Sequence, residues 1–268
     1  MNYHPIFVED LEKYFPPALS GWRALVYPFA KPTERALAGL SFRLEPGEVM
    51  ALIGANGAGK STLLRILATL IIPTRGRAAV AGFDVERQEA RAREQIGYYA
   101  GGDQGFYARL TARENLQFFA AMNNLDRGKS TRQIARLTEL MRVESILDRQ
   151  VRTLSTGTVH RLGLSRALLH EPAVLLLDEP TRSLDPMAAG DFRRFLRSDL
   201  VEKGSKTLLF ASHSLEEVQQ LADRVAIIDQ GKLIACDTPS RLCAAAGVST
   251  LEQVCERMSR PAVTEPSL

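Results

Sequence analysis

One eight-residue stretch constrains this chain more than any other: Gly54-Ala55-Asn56-Gly57-Ala58-Gly59-Lys60-Ser61. It stands directly after the apolar run Val49-Met50-Ala51-Leu52-Ile53 and opens the amphipathic stretch Lys60 to Leu70. A short apolar run bounded by turn residues reads as a buried strand, and the segment after it reads as a helix. Similar strand-like runs recur at Ala173 to Leu177, Thr207 to Ala211 and Val225 to Asp229, with helical stretches between them. Strands alternating with helices predict an α/β fold whose mostly parallel sheet carries helices on both faces.

The chain has 268 residues, 45% apolar and 24% charged, which suits one large α/β domain spanning 1–268. Residues Thr111 to Arg152 are rich in Arg, Leu, Glu and Ala and hold no strand-like run, so a helical insert is expected over about 104–170. Pro16 to Pro32 carries four prolines beside Trp22, Tyr27 and Phe29. Proline interrupts both helix and strand, so about 16–36 reads as an irregular arm. The C-terminal part, about 238–268, reads as a short helical tail that frays after Pro261.

Met1 to Asp10 mixes Asn, His, Glu and Asp and does not read as a secretory signal. No stretch approaches the roughly 20 apolar residues of a membrane-spanning helix. Leu63 to Ile72 comes nearest and is interrupted by Arg65. A net charge of +3, from 34 basic and 31 acidic residues, argues against a concentrated basic face, so no nucleic acid partner is expected. Cys236, Cys243 and Cys255 lie in no metal-ligand spacing and fit a reduced compartment.

The glycine-rich turn matches G-x-x-x-x-G-K-[ST]. Glycines let the backbone wrap so that successive N–H groups converge on phosphates, with the positive end of a helix dipole behind them. Gly54, Ala55, Asn56, Gly57, Ala58, Gly59 and Thr62 form that cradle. Lys60 is expected to reach the β- and γ-phosphates, and the Ser61 hydroxyl to bind magnesium. A random chain of this length shows the pattern roughly once in a hundred. Val174 to Leu177 is then an apolar strand ending in Asp178-Glu179. An acid at the carboxyl end of a strand can hold magnesium, and a second can orient the attacking water. Asp178 is assigned to the metal and Glu179 to the water.

These motifs resemble the nucleotide-binding domain of ABC transporters over about Val8 to Arg257. Leu154-Ser155-Thr156-Gly157-Thr158 stands where that family carries its LSGGQ signature, Ser183-Leu184-Asp185-Pro186 resembles its D-loop, and His213 follows a strand as its switch histidine does. The resemblance implies an N-terminal antiparallel β subdomain and an inserted helical signature subdomain around a P-loop core. It also implies ATP and Mg²⁺ as ligands and ATP hydrolysis as the reaction. Two copies would face head to tail, as a homodimer, with each ATP between one copy's phosphate loop and the other's Ser155 and Gly157. Asp185 of the D-loop-like segment would be among the nucleotide-binding residues, and His213 would hydrogen-bond the γ-phosphate and sense its loss. Val8 to Phe15 resembles the first strand and its aromatic loop, which makes Phe15 the expected adenine stacker with Tyr14 close behind.

The sequence departs from the family at Thr156, at Thr158, and in the Q-loop. There Ile96-Gly97-Tyr98-Tyr99-Ala100 leads to Gly101 where glutamine is usual, leaving Gln104 or Asp103 to supply an oxygen. Tyr107 to Leu116 resembles the join where such motors meet a membrane subunit. Thr250 to Val254 resembles the C-terminal helix of export-type motors for drugs, lipids or polysaccharides, and the long arm resembles polysaccharide-export motors. The expected partner is therefore a separate polytopic membrane chain, with this chain peripheral on the cytoplasmic face. Two other classes compete: a soluble ABC ATPase acting on DNA or ribosomes, and a weakly catalytic scaffold. Against the first, only Thr62 to Thr153 intervene between cradle and signature, without sustained heptads; against the second, Glu179 is present.

Overall fold

The computed structural model describes residues 4–16, 34–101, 105–182 and 184–259. In chain order the strands are β1 (Ile6–Phe15), β2 (Glu34–Leu44), β3 (Val49–Ile53), β4 (Arg75–Val80), β5 (Phe83–Asp84), β6 (Ile96–Tyr99), β7 (Val174–Asp178), β8 (Thr207–Ala211), β9 (Arg224–Asp229) and β10 (Lys232–Asp237). The helices are α1 (Lys60–Leu67), α2 (Glu89–Glu94), α3 (Ala112–Met122), α4 (Arg127–Leu140), α5 (Thr156–Leu168), α6 (Pro186–Arg194), α7 (Leu215–Leu221), α8 (Pro239–Ala246) and α9 (Leu251–Ser259); α6 runs on as a π-helix through Phe195–Glu202.

Two sheets form, the mostly parallel one that the α/β reading expected and the antiparallel one that the resemblance implied. An antiparallel sheet has the order β2-β1-β4-β5, and a second sheet has the order β10-β9-β3-β8-β7-β6. In the second sheet β9 to β6 run parallel and only β10 is antiparallel, on an edge. Because side chains alternate across a strand, each central strand feeds two cores. Val49, Ala51, Ile53, Leu175, Leu177, Leu208 and Phe210 join the core under α3, α4, α5 and the C-terminal helices. Met50, Leu52, Val174, Leu176 and Leu209 join the core shared with α1 and the antiparallel sheet. The near-continuous apolar runs in the sequence reflect this burial on both faces.

Helix α1 ends three residues earlier than its periodicity predicts. Thr69 takes a left-handed φ of 59°, and the Leu70 N–H donates to the Arg65 carbonyl at 2.9 Å. That is a Schellman-type end with threonine in the place glycine usually fills. Between β6 and β7 the described residues hold helices only, α3, α4 and α5, with two short 3₁₀ turns. The Thr111 hydroxyl and the Glu114 carboxylate cap the start of α3 reciprocally. Of the expected arm, residues 17–33 lie outside the described part of the chain, as do residues 260–268 of the tail.

Candidate active site

Parallel strands present their carboxyl ends along one edge, and the order β3-β8-β7 brings three of the sequence-derived motifs to that edge. The glycine-rich loop leaves β3, His213 follows β8, and Asp178 and Glu179 end β7. Two glycines are required by close approach. A Cβ on Gly54 would lie 2.0 Å from the Ile228 carbonyl oxygen. Gly59, at φ 108°, would place one 2.5 Å from the Ala36 carbonyl oxygen. Gly59 is also the N-cap of α1 and contributes no side-chain cap, so the first-turn N–H groups meet no capping side chain.

Lys60 is 6% exposed, and its ammonium donates to the carbonyls of Gly54 (2.7 Å) and Ala55 (3.0 Å). Burial pulls its pKa down, while the carboxylates of Glu179 and Asp178 push it back up. Lys60, Ser61, Asp178, Glu179 and His213 line one cleft of about 490 Å³, together with the loop residues Asn56 to Gly59 and Thr62. Gly101 also lines the cleft at φ 74°, so backbone stands where a Q-loop side chain was expected. Gln104 and Asp103 lie outside the described residues.

Glu179 is the focus of this geometry. Its φ is 52°, a conformation that costs a non-glycine residue about 1 kcal/mol or more and that clusters at functional sites. Its N–H donates to the Ala211 carbonyl of β8 at 3.0 Å, and its Oε1 lies 3.1 Å from His213 Nε2. Backbone and side chain thus both tie the acid to the strand that carries the histidine.

Ser155, Gly157, Asp185 and Phe15 do not line this cleft. Ser155 is the exposed N-cap of α5, where its hydroxyl accepts the Thr158 N–H at 3.3 Å and lies 2.8 Å from the Thr158 hydroxyl. Gly157 faces Leu184, so the signature abuts the D-loop segment of its own chain. Asp185 is exposed and caps α6, accepting the Ala188 N–H at 3.0 Å. Phe15 ends β1 with the Lys13 ammonium 5.0 Å from its ring, and Tyr14 lies under Arg35.

The family model described as ABC transporter matches residues 37–182, the segment that holds the cradle, the signature and the acid pair. This chain belongs to the ABC transporter family. Like that family it binds ATP and is an ATPase. Over 204 residues it is 39% identical to the ABC transporter ATP-binding protein NatA of Bacillus subtilis, covering 76% of this chain and 82% of that one. Over 236 residues it is 39% identical to the daunorubicin resistance ATP-binding protein DrrA2 of Streptomyces coeruleorubidus, with coverage of 87% and 71%. The linearmycin resistance ATP-binding protein LnrL of Bacillus subtilis is 35% identical over 216 residues, with coverage of 81% and 68%.

Among solved structures, an ATP-binding subunit of an ABC transporter superposes with a TM-score of 0.80 at 24% identity, over 95% of this chain and 99% of that one. A dimeric post-hydrolysis ATP-binding cassette bound to ADP and Pi gives 0.74 at 20% identity, over 87% and 98%. At these identities the likeness is one of fold.

Two residues lining the cleft of this ABC ATPase escaped the sequence reading. Arg182 lines the cleft and was signalled only by its place three residues after Glu179. His160 also lines it, 1% exposed, with Nδ1 at 2.6 Å from the Tyr99 hydroxyl. Burial lowers the His160 pKa, with the Pro180 carbonyl opposing. The Tyr99–His160 contact joins the strand before the Q-loop to the signature helix, a juxtaposition no local motif announces.

Proposed function

We propose that this ABC ATPase is the motor subunit of an exporter, driving transport through a separate membrane subunit from a peripheral position on its cytoplasmic face. The observation that carries the reading is the single cleft holding Lys60, Ser61, Asp178, Glu179 and His213. The loop N–H groups and Lys60 bind the β- and γ-phosphates of ATP. Glu179 accepts a hydrogen bond from the attacking water and aims it at the γ-phosphorus. His213 donates to the γ-phosphate and loses that partner when the phosphate leaves. Phe15, or Tyr14, stacks on adenine.

Ser61 and Asp178 fit a magnesium ion. Both offer hard oxygen donors to the same cleft, and two protein ligands suffice for an ion that keeps waters and phosphate oxygens. Among the described residues no cluster of three or more His, Cys, Asp or Glu would hold a softer metal. When bound, the ion neutralises charge on the β- and γ-phosphate oxygens. In our reading a second copy completes the site head to tail, its Ser155 hydroxyl and the N–H groups around Gly157 reaching the γ-phosphate at the start of α5. Asp185 sits at the same interface. The exposure of Ser155, outside its own chain's cleft, supports this arrangement.

Among the described residues no helix is long and apolar enough to cross a membrane. An aromatic patch on the helical region offers a docking surface for a chain that does. Tyr107 is 50% and Phe118 38% exposed, with ring centroids 5.0 Å apart, and Met122 on the same helix is 65% exposed. Gln104 or Asp103 serves as the Q-loop oxygen donor. Relatives named for daunorubicin and linearmycin resistance support export as the direction of transport.

The test is a mild-detergent pull-down of tagged Glu179→Gln protein with ATP, read by mass spectrometry. A polytopic membrane protein in roughly equal amount is expected. Ribosomes, DNA-bound proteins or soluble partners alone would overturn the transporter reading.

A further inference from the structure

Behind the Glu179–His213 pair lies a second carboxyl that the reaction described above does not use. Glu217, in the first turn of α7, is 1% exposed. Its Oε2 lies 2.5 Å from the Ser212 hydroxyl oxygen, which accepts the Ser214 N–H at 3.0 Å. The Ser214 hydroxyl in turn accepts the Glu217 N–H at 3.2 Å, closing a small network around the His213 loop. The other carboxyl oxygen, Oε1, is buried without a hydrogen-bond partner, and the buried Thr181 of the other loop lies near enough to influence the carboxyl. Ser212 directly precedes His213, and Thr181 stands two residues after Glu179. One buried side chain therefore holds the His213 loop from within and lies beside the loop that carries Glu179.

We infer that Glu217 is a positioning residue whose buried carboxyl clamps the His213 loop and so sets the reach of His213 toward Glu179. The inference rests on the roles proposed above for Glu179 and His213. A contact 3.1 Å long between two groups on separate loops is sensitive to either loop turning, and misplacement by about 1 Å can cost on the order of 100-fold in rate. The clamp acts from behind the reacting groups and does not itself line the nucleotide cleft.

The charge state of the clamp follows from what faces it. Burial pushes the Glu217 pKa up, and Glu179 adds to that push. Ser212, Thr181 and Arg193 of α6 pull it partly back, Arg193 being shared with Glu216 (3.1 Å) and Gln220 (2.8 Å). A neutral carboxyl both donates and accepts, as a glutamine amide does. Once ionised it only accepts, and it places a second negative charge near Glu179. The Gln variant keeps the size and hydrogen-bonding capacity of the clamp, and alanine removes both.

The experiment compares Glu217→Gln, Glu217→Ala and Ser212→Ala for kcat and for affinity toward a fluorescent ATP analogue, from mildly acidic to alkaline pH. Glu217→Ala and Ser212→Ala are expected to lose kcat, on the order of 100-fold for the former, with nucleotide affinity retained. Glu217→Gln is expected to keep most of kcat and to lose whatever decline ionisation of the carboxyl imposes on the wild type as pH rises. Wild-type kcat in both alanine variants would overturn the clamp, as would parallel loss of kcat and affinity in the Gln variant. Glu179→Gln and His213→Ala run beside them: if these turn over normally, the reading of the catalytic pair fails instead.

Discussion

Lys60 holds its ammonium against two carbonyls of its own loop, ready to exchange them for phosphate oxygens. Charge-assisted hydrogen bonds contribute about 1.5–3 kcal/mol each. Lys60→Ala is therefore expected to weaken ATP binding by on the order of 100-fold or more in a fluorescent-nucleotide titration; wild-type affinity would remove Lys60 from the cradle. Glu179→Gln keeps the shape of the cleft and is expected to bind ATP while losing on the order of 100- to 10,000-fold in turnover, the scale of general-base catalysis. Candidates for these roles were legible because each follows from a short run of residues, Gly54 to Ser61 and Asp178-Glu179. Glu217 and His160 were not: Glu217 stands out only by its burial, and His160 by contact with Tyr99, far away in sequence.

At the scale of elements, buried strands were the easiest to read. Val49–Ile53 and Thr207–Ala211 run between the residues their apolar stretches marked, since burial on both faces leaves little room for polar residues. The end of α1 was harder, because Thr69 adopts the left-handed turn without the glycine that would have signalled it. The signature helix allows its two tasks to be separated. Ser155 caps α5, so Ser155→Ala is expected to lower unfolding free energy by about 1 kcal/mol in denaturant titration. Aspartate is as good an N-cap, so Ser155→Asp should retain that stability. The added carboxylate would repel a γ-phosphate, however, and this variant is expected to lose ATP-dependent dimerisation. A Ser155→Asp protein that still dimerises with ATP would place the signature away from the nucleotide.

Over the whole molecule, two cores grip one sheet, and two histidines, one buried and one half-buried, tie its acid stability to proton uptake. His170 donates from Nε2 to the Ile96 carbonyl at 2.9 Å, and its Nδ1 is buried without a hydrogen-bond partner. Burial lowers the pKa of His170, as it does that of His160. The unfolded chain therefore binds more protons below the ordinary imidazole value of 6.5, and stability is lost as pH falls from there through the lower folded values. Glu217 acts in the opposite sense: its raised pKa favours the folded state in acid and loses that contribution as pH climbs above 4.5 through the folded value. Thermal unfolding should show the acid loss, and His170→Gln, which can still donate to Ile96, should flatten it. An unchanged pH profile in that variant would exclude His170 as a source.

The claim on which the rest stands is that ATP, bound in this cleft, holds two copies of the chain together until Glu179 cleaves it. Light scattering of purified Glu179→Gln protein on a sizing column, with and without Mg-ATP, tests it most directly. A dimer that forms only with ATP and carries one nucleotide per chain is the expected result. A monomer fully loaded with ATP would contradict the account.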